Sequence, residues 1–270
     1  MGTERINACF NALKAENKTA FIPFITAGDP DLPTTAKLLA ALPAAGADLI
    51  EIGMPFSDPM ADGPVIQAAN VRALRHTITI DLILDTVRNF RKTNTTTPIL
   101  LMGYYNPIFI YGNDAFIQNA KAAGIDGLII VDLPPEHNNE LSQLAEDNAI
   151  SFVRLITPST HPKRLTELLQ HASGFLYYVS VLGVTGNQRP DFDTLSATLS
   201  SIQTHTHLPV GVGFGIQTPA DINAIKTTAD AIIVGSAIVK RIETLSQDPS
   251  QFHPLISYIE SLANACHHPS

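Results

Sequence analysis

The feature of this sequence that most constrains its fold is a series of eight short apolar segments that recur along the chain. Each segment is rich in Ile, Val, Leu or aromatic residues, and each is hydrophobic without strict alternation. This pattern is typical of strands in a parallel sheet that is covered on both faces. The segments span residues 21–26, 49–53, 99–102, 128–131, 151–156, 175–181, 210–214 and 231–234.

Helical patterns separate the apolar segments, as at residues 34–45, 136–148 and 162–171, and an amphipathic helix precedes the first strand. Gly46 and Gly124 stand where a helix ends before a strand, a position that favours the left-handed conformation. Extra residues follow strands two and six, including a helix near residues 65–74. Eight strand-helix units without a linker predict one (β/α)8 TIM barrel domain over residues 1–270. A doubly wound open sheet is the alternative.

Composition excludes several classes of partner. The chain has 270 residues, 45% of them hydrophobic, and a formal charge of −8 without a run of Lys or Arg. This balance argues against nucleic acid and against an anionic membrane surface. The two cysteines, Cys9 and Cys266, lie near opposite ends and fit reduced residues of a cytosolic protein. We therefore expect a cytoplasmic enzyme that captures a small molecule through local groups.

The second apolar segment contains a carboxylate and leads into a loop with two more. Glu51 lies in the predicted strand, and Asp58 and Asp62 follow among three prolines. A buried carboxylate has a raised pKa unless it is paired, whereas a second carboxylate in a more polar environment stays ionised. Such a pair suits proton transfer combined with stabilisation of a positive charge. Alternatively, Glu51 is an ordinary strand residue and the other acids are a solvated rim.

The residue types at the predicted strand ends also exclude mechanisms. None of the lysines falls at the carboxyl end of a strand, so a Schiff-base aldolase lacks its nucleophile. The histidines lie in helices, turns or the terminus, which argues against a metal held by histidine. The predicted rim is acidic or phenolic instead, with Asp132 after strand four and Tyr177 in strand six. Asp132 could equally form a turn or a helix cap.

Glycines gather in one quadrant of the predicted rim. They occur at residues 183–186, 211–215 and 235–236, after strands six, seven and eight. Backbone N–H groups at such turns and helix N-termini bind phosphate, and this is the usual phosphate site of these barrels. Tight turns also require glycine, so a single pair would be weak. Three converging segments predict a phosphate-binding end of the site.

At this point the sequence resembles a known family. The segment from Ile50 to Gln67 closely resembles the signature of tryptophan synthase alpha chains, and its string PFSDPMADGP is specific to that family. Further motifs of the family follow in the same order at residues 24–30, 131–134, 183–186, 213–216 and 235–240. The resemblance extends over residues 21–240. It implies a lyase of L-tryptophan biosynthesis that splits indole-3-glycerol phosphate into indole and glyceraldehyde 3-phosphate by a retro-aldol step.

The resemblance also implies roles for individual residues. Glu51 would be the acid-base residue, Asp62 would accept the indole N–H, and Tyr177 would help to hold Glu51. The other implied site residues are Gly186, Gly215, Gly235 and Ser236 for phosphate, and Phe24, Met102, Asp132, Ile156 and Thr185 for the substrate pocket and its lid. One departure from some relatives is Val181-Leu182, which stands before the lid in place of Arg-Ser.

The family further implies a partner, a beta chain that carries pyridoxal phosphate, in an alpha2-beta2 heterotetramer. This chain itself would need neither cofactor nor metal. Residues 55–60 and the predicted loop at residues 104–109 place apolar groups on the rim, as an interface would. Two other functions stay open: a sugar-phosphate isomerase or epimerase with a carboxylate base, and a catalytically silent subunit that activates a partner.

Overall fold

The chain folds into a parallel barrel surrounded by helices. The computed structural model describes residues 2–179, 192–213 and 215–268. Its strands are Ala20–Thr26 (β1), Ile50–Gly53 (β2), Ile99–Gly103 (β3), Gly127–Ile130 (β4), Ser151–Phe152 (β5), Arg154–Ile156 (β6), Leu176–Val179 (β7), Val210–Gly213 (β8) and Ala231–Val234 (β9). The predicted (β/α)8 barrel is confirmed.

One predicted strand is divided into two short ones, and this division closes the barrel. The order in the sheet is β5-β4-β3-β2-β1-β9-β8-β7-β6, with every pairing parallel. Only Val153 separates β5, which pairs with β4, from β6, which pairs with β7. The stretch at residues 151–156 therefore joins the two ends of the sheet, so the open-sheet alternative is wrong.

Helices cover the outside of the barrel. They are Gly2–Ala15 (α1), Leu32–Ala41 (α2), Pro64–Leu74 (α3), Ile80–Arg91 (α4), Tyr105–Tyr111 (α5), Asn113–Ala123 (α6), Asn138–Asp147 (α7), Pro162–Leu169 (α8), Phe192–Gln203 (α9), Pro219–Ile225 (α10), Ser236–Leu245 (α11) and Phe252–His267 (α12). Gly124 ends α6 with φ of +88°, as predicted, whereas Gly46, with φ of +93°, lies in the turn after α2 and not at the end of that helix. Both α3 and α4 lie in the predicted insertion after β2. The predicted insertion after strand six falls largely on residues 180–191, outside the described residues.

The predicted loop at residues 104–109 is wrong, because most of it belongs to α5. The proline in this segment does not prevent a helix. Pro107 is the third residue of this helix, where the backbone N–H has no intrahelical partner and proline is tolerated.

Side chains of the strands alternate between two apolar layers. On β2, Ile50 and Ile52 pack in the cluster between sheet and helices, so Glu51 between them points into the barrel. A separate cluster fills the barrel interior, and Ile6 and Phe10 of α1 belong to it. The N-terminal helix thus packs against the barrel core, while the carboxyl ends of the strands are left to form a site. No helix of the described residues has the length and apolar character needed to cross a membrane.

Candidate active site

A cavity lies at the carboxyl ends of the strands and brings together most of the predicted site residues. The predicted residues that line it are Phe24, Glu51, Asp62, Met102, Tyr177, Gly215, Gly235 and Ser236. They come from β1, β2, β3 and β7 and from the segments that follow β2, β8 and β9. Residues far apart in sequence therefore meet at one end of the barrel, where such folds place their chemistry.

Glu51 is fully buried in this cavity wall, and neither of its carboxylate oxygens has a hydrogen-bond partner among the described residues. Burial, and secondly the charge of Asp62, raises the pKa of Glu51 from 4.5 to about 8. A buried polar group without a partner destabilises the fold and marks a functional site more often than a structural one. Glu51 is thus protonated at neutral pH and can donate a proton.

Asp62 has a partner that Glu51 lacks. Nδ2 of Asn70 on α3 donates a hydrogen bond of 3.0 Å to Oδ2 of Asp62. Burial raises the pKa of Asp62 to about 6, and the hydrogen bond from Asn70 opposes this shift. At pH 7 Asp62 is therefore mainly ionised while Glu51 is mainly protonated. The sequence predicted this difference in protonation state, while the catalytic roles of the two acids stay a prediction.

Two glycines make room for the rings that flank the acids. A Cβ atom at Gly213 would lie 2.3 Å from Oη of Tyr177, and one at Gly53 would lie 2.5 Å from Cζ of Phe24. Burial, and secondly the charge of Glu51, raises the pKa of Tyr177 well above its usual value. Tyr177 therefore keeps its proton beside Glu51 and can donate a hydrogen bond.

Backbone at glycines and at a helix N-terminus forms another part of the cavity lining. Gly215 has φ of +82°, a conformation that favours glycine, and Gly235 caps α11, whose first residue is Ser236. The first N–H groups of a helix have no intrahelical partner and favour an anion. Gly186 and Thr185 lie outside the described residues, as does the Val181-Leu182 departure.

Two predicted pocket residues lie elsewhere. Asp132 accepts a hydrogen bond of 2.8 Å from the backbone N–H of Tyr105, the first residue of α5, so it caps that helix. Ile156 packs in the cluster between sheet and helices, whereas its neighbour Leu155 packs against the interior cluster. Ile156 therefore faces the helices and not the barrel interior, because adjacent residues of a strand point to opposite faces.

Sequence reasoning missed three polar residues around the cavity. Asn70 is buried beside Asp62, Tyr104 accepts a hydrogen bond of 3.0 Å from the N–H of Ala61, and Gln217 lines the cavity. A signal existed only for Asn70. It falls with Ala69 and Ala73 on the buried stripe of α3, where an amide among small residues calls for a polar partner.

Comparison with known proteins gives a consistent result. The sequence pattern of the family described as tryptophan synthase alpha chain matches residues 10–266. This chain belongs to that family. The subunit alpha of tryptophan synthase from Legionella pneumophila strain Paris is 41% identical, with 97% of this chain and 98% of that chain covered and a TM-score of 0.90. Tryptophan synthase from Mycobacterium tuberculosis is 32% identical over 98% of this chain and 99% of that chain, with a TM-score of 0.88.

Family membership confirms the resemblance seen in the sequence motifs. The family catalyses cleavage of indole-3-glycerol phosphate in tryptophan biosynthesis, so the chain is a carbon–carbon lyase. An alpha chain also implies a beta-chain partner.

Proposed function

We propose that this cavity cleaves indole-3-glycerol phosphate with Glu51 as the acid-base residue and Asp62 as the acceptor of the indole N–H. The observation that carries the proposal is the placement of the fully buried Glu51 and the partly buried Asp62 in the lining of one cavity, where burial raises their pKa values to about 8 and about 6. Near neutral pH one of them can give a proton while the other holds a negative charge. A general acid and an electrostatic stabiliser are what this reaction requires.

The proton transfers balance with Glu51 alone. The protonated carboxyl of Glu51 gives its proton to C3 of the indole ring, which creates a cationic indolenine whose N–H donates to Asp62. The Glu51 carboxylate then takes the proton of the adjacent glycerol hydroxyl. The bond from C3 to the glycerol carbon breaks, its electron pair returns to the ring as indole, and the glycerol carbon becomes the aldehyde. Glu51 is again protonated at the end.

Tyr177 is the proposed donor to the Glu51 carboxylate while it is charged. The support is the position of Tyr177 in the cavity wall and its raised pKa, to which the charge of Glu51 contributes. A hydrogen bond to an ionised group is about twice as strong as one to a neutral group. Tyr177 would thus stabilise the form of Glu51 that exists only during the reaction.

The two ends of the substrate are assigned by the chemistry of the lining. Phe24 and Met102 offer apolar surface near Glu51 and are the proposed walls of the indole pocket. Gly215, Gly235 and Ser236 offer backbone N–H groups and are the proposed phosphate site, supported by the N-terminus of α11. The family motif adds Gly186 to this phosphate site and Thr185 to the lid, and both stay predictions.

The proposed step needs no electron sink apart from the substrate. The protonated indole ring accepts the electron pair of the broken bond, so this chain is proposed to work without a cofactor, and pyridoxal phosphate belongs to the expected beta chain. We further propose an alpha2-beta2 assembly and a cytoplasmic location. Cys9 and Cys266 are free thiols, which supports a reducing compartment. We also propose that the chain forms one domain. The support is the cluster of buried apolar residues that packs between the sheet and its helices.

The proposal is tested by indole release from indole-3-glycerol phosphate by the purified chain, alone and with a beta chain. We expect slow release that rises with the beta chain, and no release by Glu51→Gln or Asp62→Asn although both variants stay folded. Asp58→Asn is the matched control, because Asp58 is an exposed acid on the same loop. Wild-type turnover by either active-site variant would remove that residue from the mechanism. No release by the folded wild type would favour a sugar-phosphate isomerase instead.

A further inference from the structure

We infer that Asn70 is a positioning residue that directs one oxygen of Asp62 at the substrate and keeps that carboxylate able to accept a hydrogen bond. The inference rests on the proposed role of Asp62 and extends it to the helix behind the site. The side chain of Asn70 is only 4% exposed and lies on α3. A buried amide in a helix that is otherwise packed by small residues requires a polar partner, and here that partner is Asp62.

The hydrogen bond distinguishes the two oxygens of Asp62. Oδ2 accepts from Nδ2 of Asn70 at 3.0 Å, whereas Oδ1 accepts no hydrogen bond from the described residues. A carboxylate held by one oxygen has a fixed plane, so the direction of its second oxygen is also fixed. Oδ1 is therefore the oxygen that meets the indole N–H.

The loop around Asp62 is held on both sides. Gln67 lies three residues before Asn70 on the same face of α3, and its Nε2 donates a hydrogen bond of 2.8 Å to the backbone carbonyl of Asp62. On the other side, the N–H of Ala61 donates to Oη of Tyr104 at 3.0 Å. The backbone of Asp62 is thus fixed independently, and Asn70 is left to orient the side chain.

Helix α3 is itself anchored to the rest of the site. Arg72 binds both oxygens of the fully buried Asp29, at 2.7 and 2.9 Å, and lies 3.1 Å from Glu243 on α11. The N-terminus of α11 is the proposed phosphate site. Helix α3, which orients Asp62, is therefore joined by an ion pair to α11, which is proposed to hold the phosphate. This contact maintains the separation of the two ends of the substrate.

The amide of Asn70 also affects the charge of Asp62. Among the described residues, the titratable groups that interact electrostatically with Asp62 are Glu51 from β2 and Tyr104, which follows β3. Burial raises the pKa of these two groups to about 8 and about 12, so both are neutral at pH 7 and neither supplies a positive charge. The hydrogen bond from Asn70 is the contact that lowers the pKa of Asp62 against the effect of burial.

The test replaces Asn70 and follows kcat for indole release from pH 5 to 9. Asn70→Leu keeps a similar size and removes the donor, whereas Asn70→Ser keeps a hydroxyl donor. For Asn70→Leu we expect the acidic limb of the profile to shift to higher pH by about one to two units. This is the range expected for losing a hydrogen bond to a charged group. At pH 6 this shift corresponds to a loss of about 5- to 50-fold, because half of Asp62 is still protonated there in the wild type, and the loss shrinks as pH rises. The Ser variant should lie between Leu and wild type.

Asn119→Leu is the matched control. Asn119 lies on α6, and its Nδ2 donates a hydrogen bond of 2.7 Å to Oη of Tyr111 outside the cavity. We expect its pH profile to match that of the wild type. A loss of kcat in Asn70→Leu that is equal at every pH, or an unmoved acidic limb, would overturn the inference.

Asp62→Asn distinguishes failure of the inference about Asn70 from failure of the proposed role of Asp62. If Asp62→Asn is inactive and Asn70→Leu keeps the wild-type acidic limb, only the inference about Asn70 fails. If Asp62→Asn retains turnover, the proposed role of Asp62 fails as well. Far-UV circular dichroism melts of each variant show whether it is folded, and the Ser variant tests the inference if the Leu variant is not.

Discussion

Replacing Glu51 with glutamine should stabilise the folded chain at neutral pH although it removes a proposed catalytic acid. Glu51 is fully buried, and its pKa is raised from 4.5 to about 8, first by burial and then by the charge of Asp62. In the unfolded chain this carboxyl is solvated and loses its proton near its ordinary pKa. Between these two pKa values the folded chain holds a proton that the unfolded chain has lost, so wild-type stability falls as pH rises.

The expected magnitude follows from the size of the shift. The interval from 4.5 to pH 7 is 2.5 units, and each unit is worth about 1.4 kcal/mol of unfolding free energy. Relative to Glu51→Gln, the wild type should thus lose about 3 kcal/mol as pH rises from below 4.5 to 7, and the loss should level off above pH 8. Glutamine is neutral throughout, so any constant difference between acid and amide cancels from the slope.

Urea unfolding from pH 4.5 to 8.5 measures this slope. The chain has no tryptophan, so far-UV circular dichroism is the suitable signal. Asp248→Asn is the control, because hydrogen bonds from Ser250 and Gln251 lower the pKa of that exposed carboxyl below 3.8. Asp248 is therefore ionised in the folded and the unfolded chain over this pH range, so the stability difference between wild type and Asp248→Asn should stay constant. A constant stability difference between wild type and Glu51→Gln over pH 5 to 8 would refute a buried, neutral Glu51.

Three further substitutions test other parts of the account. Gly213→Ala places a Cβ atom 2.3 Å from Oη of Tyr177; we expect a loss of about 1–3 kcal/mol in urea unfolding, as for other overpacked sites, together with a lower kcat. Ser236→Asp puts a negative charge at the proposed phosphate site and should raise KM for the substrate by about tenfold or more, with kcat less affected. Arg72→Leu leaves the buried Asp29 without the partner described above, which should reduce unfolding free energy by about 3–5 kcal/mol.

The sequence predicted the positions at which one residue differs sharply in chemistry from its neighbours. Glu51 could be identified because an acid inside an apolar strand contrasts with its neighbours, and burial then follows from the fold. The residues that line the cavity after β8 and β9 could be identified because glycine is needed where bare backbone faces a ligand. In both cases one residue type carries the physical requirement by itself.

Other features depended on information that a single sequence does not contain. Leu155 and Ile156 are both apolar, so only the register of a strand of three residues decides which of them faces the interior. Asp132 is equally suited to cap a helix or to bind a ligand, and the position of α5 decides between them. Asn70 lies eight residues from Asp62, and its contact depends on how the loop at the rim folds back.

Glu51 and Asp62 are proposed to act in opposite protonation states, and the pH dependence of wild-type kcat for indole release is the direct test of that proposal. Activity should rise with pH through about 6 as Asp62 loses its proton and should fall through about 8 as Glu51 loses its own. We therefore predict a bell-shaped pH profile. A profile that is flat from pH 5 to 9, measured on enzyme that stays folded over that range, would contradict it.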